Sequence, residues 1–205
     1  ARAAHDVGGD PGVGAVGGEV RSFAVVPGAT IANGPALTLL ELPFTWTPLH
    51  EAAAANQSVE ASPTMSGIRW WEIRINGTTP SLFQEGTFAP GTTDGIHRWM
   101  GSIAQDKQGN MGLGYSASST TVFPSIRYTG RLAGDPLGTM PQGEGVIVDG
   151  TGSQTSTGSR WGDYTSMNID PVDDCTFWYV NQYLPTTSST GWRLRVGAFK
   201  FDECS

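Results

Sequence analysis

Three segments of this chain share one pattern, small–apolar–Arg–apolar: Gly67-Ile68-Arg69-Trp70, Ser125-Ile126-Arg127-Tyr128 and Gly191-Trp192-Arg193-Leu194. They are spaced by 58 and 66 residues. A second element recurs at a lag of 64: Ser102-Ile103-Ala104-Gln105-Asp106 leads through Lys107-Gln108-Gly109-Asn110 into Met111 to Tyr115, and Ser166-Met167-Asn168-Ile169-Asp170 leads through Pro171-Val172-Asp173-Asp174 into Cys175 to Tyr179. Upstream of each stands an Arg-Trp pair, Arg98-Trp99 and Arg160-Trp161. Each unit reads as strand, Asp-initiated tight turn, strand, loop, and a strand carrying the arginine. Self-similarity in a fixed order means units that cannot bury their apolar faces alone and must stack on one another.

Composition says what the units are made of. Gly (28) and Pro (13) break helices, while 20 aromatic residues, seven Trp, five Tyr and eight Phe, supply core side chains. Short strands between Gly/Pro/Ser/Thr turns follow, and the class is all-β. In Trp192-Arg193-Leu194-Arg195-Val196 the apolar side chains share one face and both arginines the other. The alanine-rich stretch 49–60 is open between helix and strand. Residues 1–21, glycine-rich, read as a flexible arm, and 22–205 as repeats of about 60 residues. The architecture expected is a partial β-propeller of about three four-stranded antiparallel blades, with a β-sandwich as the alternative. Propellers close with ~4–8 blades. Partners are therefore expected: copies of this chain or the rest of a cleaved precursor.

A net charge of −7 and the lack of any basic run argue against nucleic acid. The longest apolar runs, such as 36–40, are too short to span a bilayer. The chain opens on Ala1 without a hydrophobic signal core and reads as a mature, secreted product. In that setting Cys175 and Cys204 are expected to be bridged, because Cys175 opens one strand and Cys204 follows the last.

The stretches Arg98-Trp99-Met100-Gly101-Ser102-Ile103-Ala104, Leu113-Gly114-Tyr115-Ser116, Pro124-Ser125-Ile126-Arg127-Tyr128-Thr129-Gly130-Arg131 and Arg160-Trp161-Gly162-Asp163-Tyr164 resemble a group of secreted bacterial proteins of the sialidase-like (BNR-type, Asp-box) β-propeller kind. The likeness runs through Asp170-Pro171-Val172-Asp173-Asp174-Cys175 to Lys200-Phe201 and covers about residues 50–205. It implies export and a propeller. The turns at Asp106 and Asp170 depart from the full Ser-x-Asp-x-Gly-x-x-Trp box.

Several residue sets invite chemistry. Gly12-Val13-Gly14-Ala15-Val16-Gly17 spells G-x-G-x-x-G, but Pro11 and Gly18 flank it where a nucleotide site needs a strand and a helix. His50-Glu51 has Ala54 where a zinc protease needs its second histidine. Asp170, Asp173 and Asp174 form a candidate calcium site; an Asx-type turn is the stronger reading, since Lys107, Gln108 and Gly109 fill the matching turn. No other cofactor is expected. Arg69, Arg127 and Arg193 invite comparison with the carboxylate-gripping arginines of sialidases, yet recurrence in every unit favours structural ion pairs. Asp163 and Tyr164 depart from the repeat and are the catalytic candidates. Beside them Arg98, Trp99, Arg160 and Trp161 would form a glycan-binding floor, and Asp163 with Glu72 or Glu144 a carboxylate pair. The leading expectation is a binding or assembly surface, the alternative a sialidase-like glycan hydrolase.

Overall fold

Pairing decides the alanine-rich stretch. Glu51–Ser62 is a strand, because its partner Met65–Asn76 matches it from Glu51↔Ile75 to Ser62↔Met65. Alanine's weak helix preference yields to a ladder of that length. The structure, a computed structural model, describes residues 5–6 and 51–205 except 159, 163 and 164. In chain order the strands are β1 His5–Asp6, β2 Glu51–Ser62, β3 Met65–Asn76, β4 Thr79–Phe88, β5 His97–Gln105, β6 Met111–Ser118, β7 Ser125–Arg131, β8 Gly145–Val148, β9 Ser166–Ile169, β10 Phe177–Tyr183 and β11 Arg193–Phe199. One short helix, α1 Gly91–Asp94, precedes β5. The fold is all-β, as the composition predicts.

The strands form three open antiparallel sheets in chain order: β2-β3-β4, β5-β6-β7-β8 and β9-β10-β11-β1. The last takes its edge strand from the opposite end of the chain, His5 pairing with Ala198 and Asp6 with Gly197. The rest of the expected arm lies outside the described residues.

The sheets stack face to face, with the second in the middle. Alternation along β6 explains why. Met111, Leu113, Tyr115 and Ala117 join Ala54, Ile68 and Trp70 in a core against the first sheet. The opposite face of β6 carries Gly112 and Gly114, and a Cβ at either would lie 2.5–2.6 Å from the rings of Tyr179 or Phe177. A second core there joins Ile126 and Tyr128 to Phe177, Tyr179, Phe199 and Phe201. Phe177 and Tyr128 both stack on Phe199, with centroids 5.0 and 4.1 Å away.

The repeat is visible in this stack. The turn after β5 closes with Asp106 N–H donating to Asn110 O, and the turn after β9 with Asp170 N–H donating to Thr176 O. The second turn is longer by two residues, so Met111 corresponds to Phe177, Leu113 to Tyr179 and Tyr115 to Asn181. Arg127 stands opposite Tyr115 and Arg195 opposite Asn181. The counterpart of Arg127 is therefore Arg195, two residues beyond the Arg193 of the sequence pattern. β9 lies along β5 in the same direction, Met167 N–H donating to Ser102 Oγ at 2.9 Å and Lys107 N–H to Asp174 O at 2.9 Å. The face of each sheet turned toward the preceding one is its front, the opposite face its back.

Cys175 and Cys204 form the expected disulfide, with a Cα–Cα distance of 5.6 Å. Phe177 pairs with Phe199, which brings the residues flanking both strands together. No helix among the described residues is long and apolar enough to cross a membrane.

Candidate functional site

The described part of the predicted site divides into two groups with different surroundings. Arg98 is buried and fully engaged. Its Nη1 and Nη2 donate to the two oxygens of Asp94 at 2.7 and 2.8 Å, its Nε to Glu144 Oε2 at 3.0 Å, and Nη1 also to Ile96 O. Glu144 further accepts from Arg127 Nη1 at 2.5 Å and from the Tyr115 hydroxyl at 2.8 Å. Two carboxylates and two guanidiniums thus balance one another. The Arg98 contact, ahead of the Ile96 N–H, holds Asp94 below its ordinary value against the effect of burial. Burial, and then the Glu144 charge, pushes the Tyr115 phenol well up. This is a buried fastening between α1, β5, β6, β7 and the Glu144 loop.

Trp99 and Trp161 come together, their centroids 5.6 Å apart and their rings tilted by 55°. Trp99 Nε1 donates to Ser118 Oγ at 3.1 Å, and Trp161 Nε1 to Ser116 Oγ at 3.0 Å. Trp161 is buried and Trp99 half-buried. A bulge between Trp99 and Ser102, with Met100 at φ 50°, shapes the strand there. Arg160 is exposed beside them. Asp163 and Tyr164 lie outside the described residues.

The three aspartates after β9 are turn builders. Asp170 accepts from Val172 N–H and Trp178 Nε1–H; Asp173 accepts from the N–H groups of Cys175 and Thr176, the Thr176 hydroxyl, and Lys200 Nζ at 3.4 Å. Asp174 adopts φ 53°. Among the described residues no group of three His, Cys, Asp or Glu is arranged to hold a metal ion. Arg69 and Arg127 do not converge: Arg69 pairs with Glu85 at 2.5 Å on the first sheet, Arg127 with Glu144 on the second, and Arg193 is exposed on the third.

Two small cavities accompany these groups, of about 100 and 170 Å³. The first holds Glu72 and Arg131, both buried. The sequence signal for Arg131 is its place on the Arg127 face of β7, four residues and two steps of the period-two alternation further on. The second is lined by Tyr128, Glu144 and Phe201 among others. No family model, curated protein or solved structure matches the chain.

Proposed function

We propose that this chain is a run of blades from a β-propeller-type ring, secreted, whose work is to build an assembly and binding surface. The observation that carries the reading is the back of the third sheet. Trp178, Val180, Leu194, Val196 and Ala198 share that face by their register, with Leu194 60% and Val196 40% exposed. The corresponding positions on β6 are Gly112 and Gly114, over which the third sheet packs. Among the described residues the chain therefore repeats a front-on-back contact between sheets and leaves one back and one front uncovered. The free front, on the first sheet, carries Arg69, Trp71 and Glu85, joined by the Arg69–Glu85 pair and the Trp71 Nε1–Glu85 bond at 2.9 Å.

The occupant of the open back is the free front of a second copy. Joining identical copies back to front is a heterologous contact, which closes into a ring when the rotation per unit allows. The disulfide suits an oxidising compartment. A glycan could use the Trp99–Trp161 pair. The hydrolase alternative finds less support, because Arg98, Arg127 and Glu144 are engaged with one another.

Light scattering at micromolar concentration is expected to give an oligomer. Leu194→Asp with Val196→Lys is expected to reduce it to a monomer with an unchanged circular dichroism spectrum. A wild-type monomer, or an oligomer indifferent to both substitutions, would refute the proposal.

A further inference from the structure

Arg131 is a charge in a place where the repeat puts an apolar side chain. On the second sheet Met111 faces Arg131; at the corresponding pair on the third sheet Phe177 faces Phe199, in the core. Arg131 is 1% exposed. Its Nε donates to Thr139 O at 3.2 Å and its Nη2 to Asp135 O at 2.8 Å, while Nη1 has no acceptor among the described residues. No carboxylate of the described residues lies within ion-pair distance of it. Glu72 is already held by Arg74 Nε at 2.9 Å and Gln84 Nε2 at 2.5 Å; Asp135 accepts from Leu132 N–H and Gln142 Nε2–H. A guanidinium cannot shed its proton to escape this setting, and its burial is costly; Glu72 and Asp135 attract it only from beyond ion-pair distance.

Arg131 lines the cavity of about 100 Å³ together with Glu72, Arg74, Phe83, Gln105 and Lys107. The Arg74 guanidinium lies over the Phe83 ring, 3.2 Å from its centroid, and beyond Nε has no acceptor among the described residues. The backbone of half-buried Lys107 is tied down by its N–H bond to Asp174 O. Asp106 beside it is occupied by the N–H groups of Gln108 and Asn110 and the Asn110 side chain. The cavity wall thus carries three cationic side chains, Arg74, Lys107 and Arg131, against two carboxylates, Glu72 and Asp106, that are taken up by hydrogen bonds of their own. Its volume exceeds that of a single water and suits an oxyanion group of a few heavy atoms.

We propose that this cavity binds a small oxyanion, a carboxylate or phosphate group, with Arg131 as the buried fork and Arg74 and Lys107 completing the charge on its more exposed side. Nη1, the nitrogen not engaged by Thr139 O or Asp135 O, would donate a charge-assisted bond to either oxyanion.

The test is an amide NMR titration of the purified chain with sodium acetate and, separately, sodium phosphate, sodium chloride holding ionic strength constant. Saturable shifts are expected at Gln105 to Gly109 and around Arg131, with the stronger response telling carboxylate from phosphate. Arg131→Gln is expected to weaken binding at least tenfold, and Arg74→Gln or Lys107→Gln several-fold. Shifts matched by chloride alone, or no saturable shift with either oxyanion, would overturn the proposal. So would unchanged affinity in Arg131→Gln, or, should that variant not fold, in both of the other two.

Discussion

Glu144 sits on a connecting loop, yet three buried or half-buried groups depend on it: Arg98, Arg127 and Tyr115. Glu144→Gln preserves its shape and removes the shared counter-charge. The change is expected to destabilise the fold by about 3 kcal/mol, since losing one partner strands the other charges; urea denaturation measures it. Two carboxyls set the acid limb. Asp94 is held low by Arg98 and the Ile96 N–H against burial. In Asp173 burial pushes up but is outweighed by the N–H groups of Thr176 and Cys175, the Thr176 hydroxyl and Lys200. A carboxyl whose folded pKa lies below its unfolded value, ~3.9 for Asp, adds stability above that value and loses it as pH falls toward the folded one. Asp106 has the opposite sign: burial raises it, so its share is present at low pH and lost as pH rises through its folded pKa. Stability is expected to fall below pH ~4, more gently in Asp94→Asn and Asp173→Asn than in the wild type, as denaturation midpoints across pH will report. None of this was legible beforehand. The sequence marked Arg98 and Arg127 as notable, but that a loop glutamate 46 residues from Arg98 neutralises both is a property of the folded chain.

Among the elements, β6 shows how much a strand depends on its neighbours. Its glycines form a lane that receives the aromatic rings of the third sheet. Gly114→Ala would put a methyl 2.5 Å from the buried Tyr179 ring. It is expected to cost about 1–3 kcal/mol by overpacking. Gly134→Ala, where a Cβ meets nothing within 4 Å, should leave stability unchanged or slightly raised. Thermal unfolding of the pair checks the contrast. The sequence already showed the Asp-initiated turns and the period-two alternation of Trp192 to Val196. It did not show which side of that strand faces the core. The structure turns the face of Arg195, Gly197 and Phe199 toward the second sheet and leaves Leu194 and Val196 outward. Alternation gives two faces, and only packing assigns them. The alanine-rich stretch stayed open for a related reason, because a strand's stability lies in its partner.

For the molecule as a whole, the disulfide ties the start of β10 to the tail after β11, across 29 residues. Cys175→Ser with Cys204→Ser is expected to lower stability by about 3 kcal/mol, seen as a shift of the urea midpoint under non-reducing conditions. Alkylation of the intact protein without reductant should add no mass. The all-β class, the succession of similar units and the tight turns were set by local chemistry: turn residues, alternation and spacing act over a few neighbours, and a repeat declares itself by recurrence; the cysteine pairing was legible because the chain has only two cysteines, each beside a strand. The order of the sheets, the mutual neutralisation of Arg98, Arg127, Asp94 and Glu144, the register that makes Arg195 the counterpart of Arg127, and the burial of Arg131 without a close ion-pair partner were decided only in three dimensions. Each depends on which distant strand comes to lie opposite. A two-residue difference in one turn is enough to shift that match, and no pattern within a single segment records it.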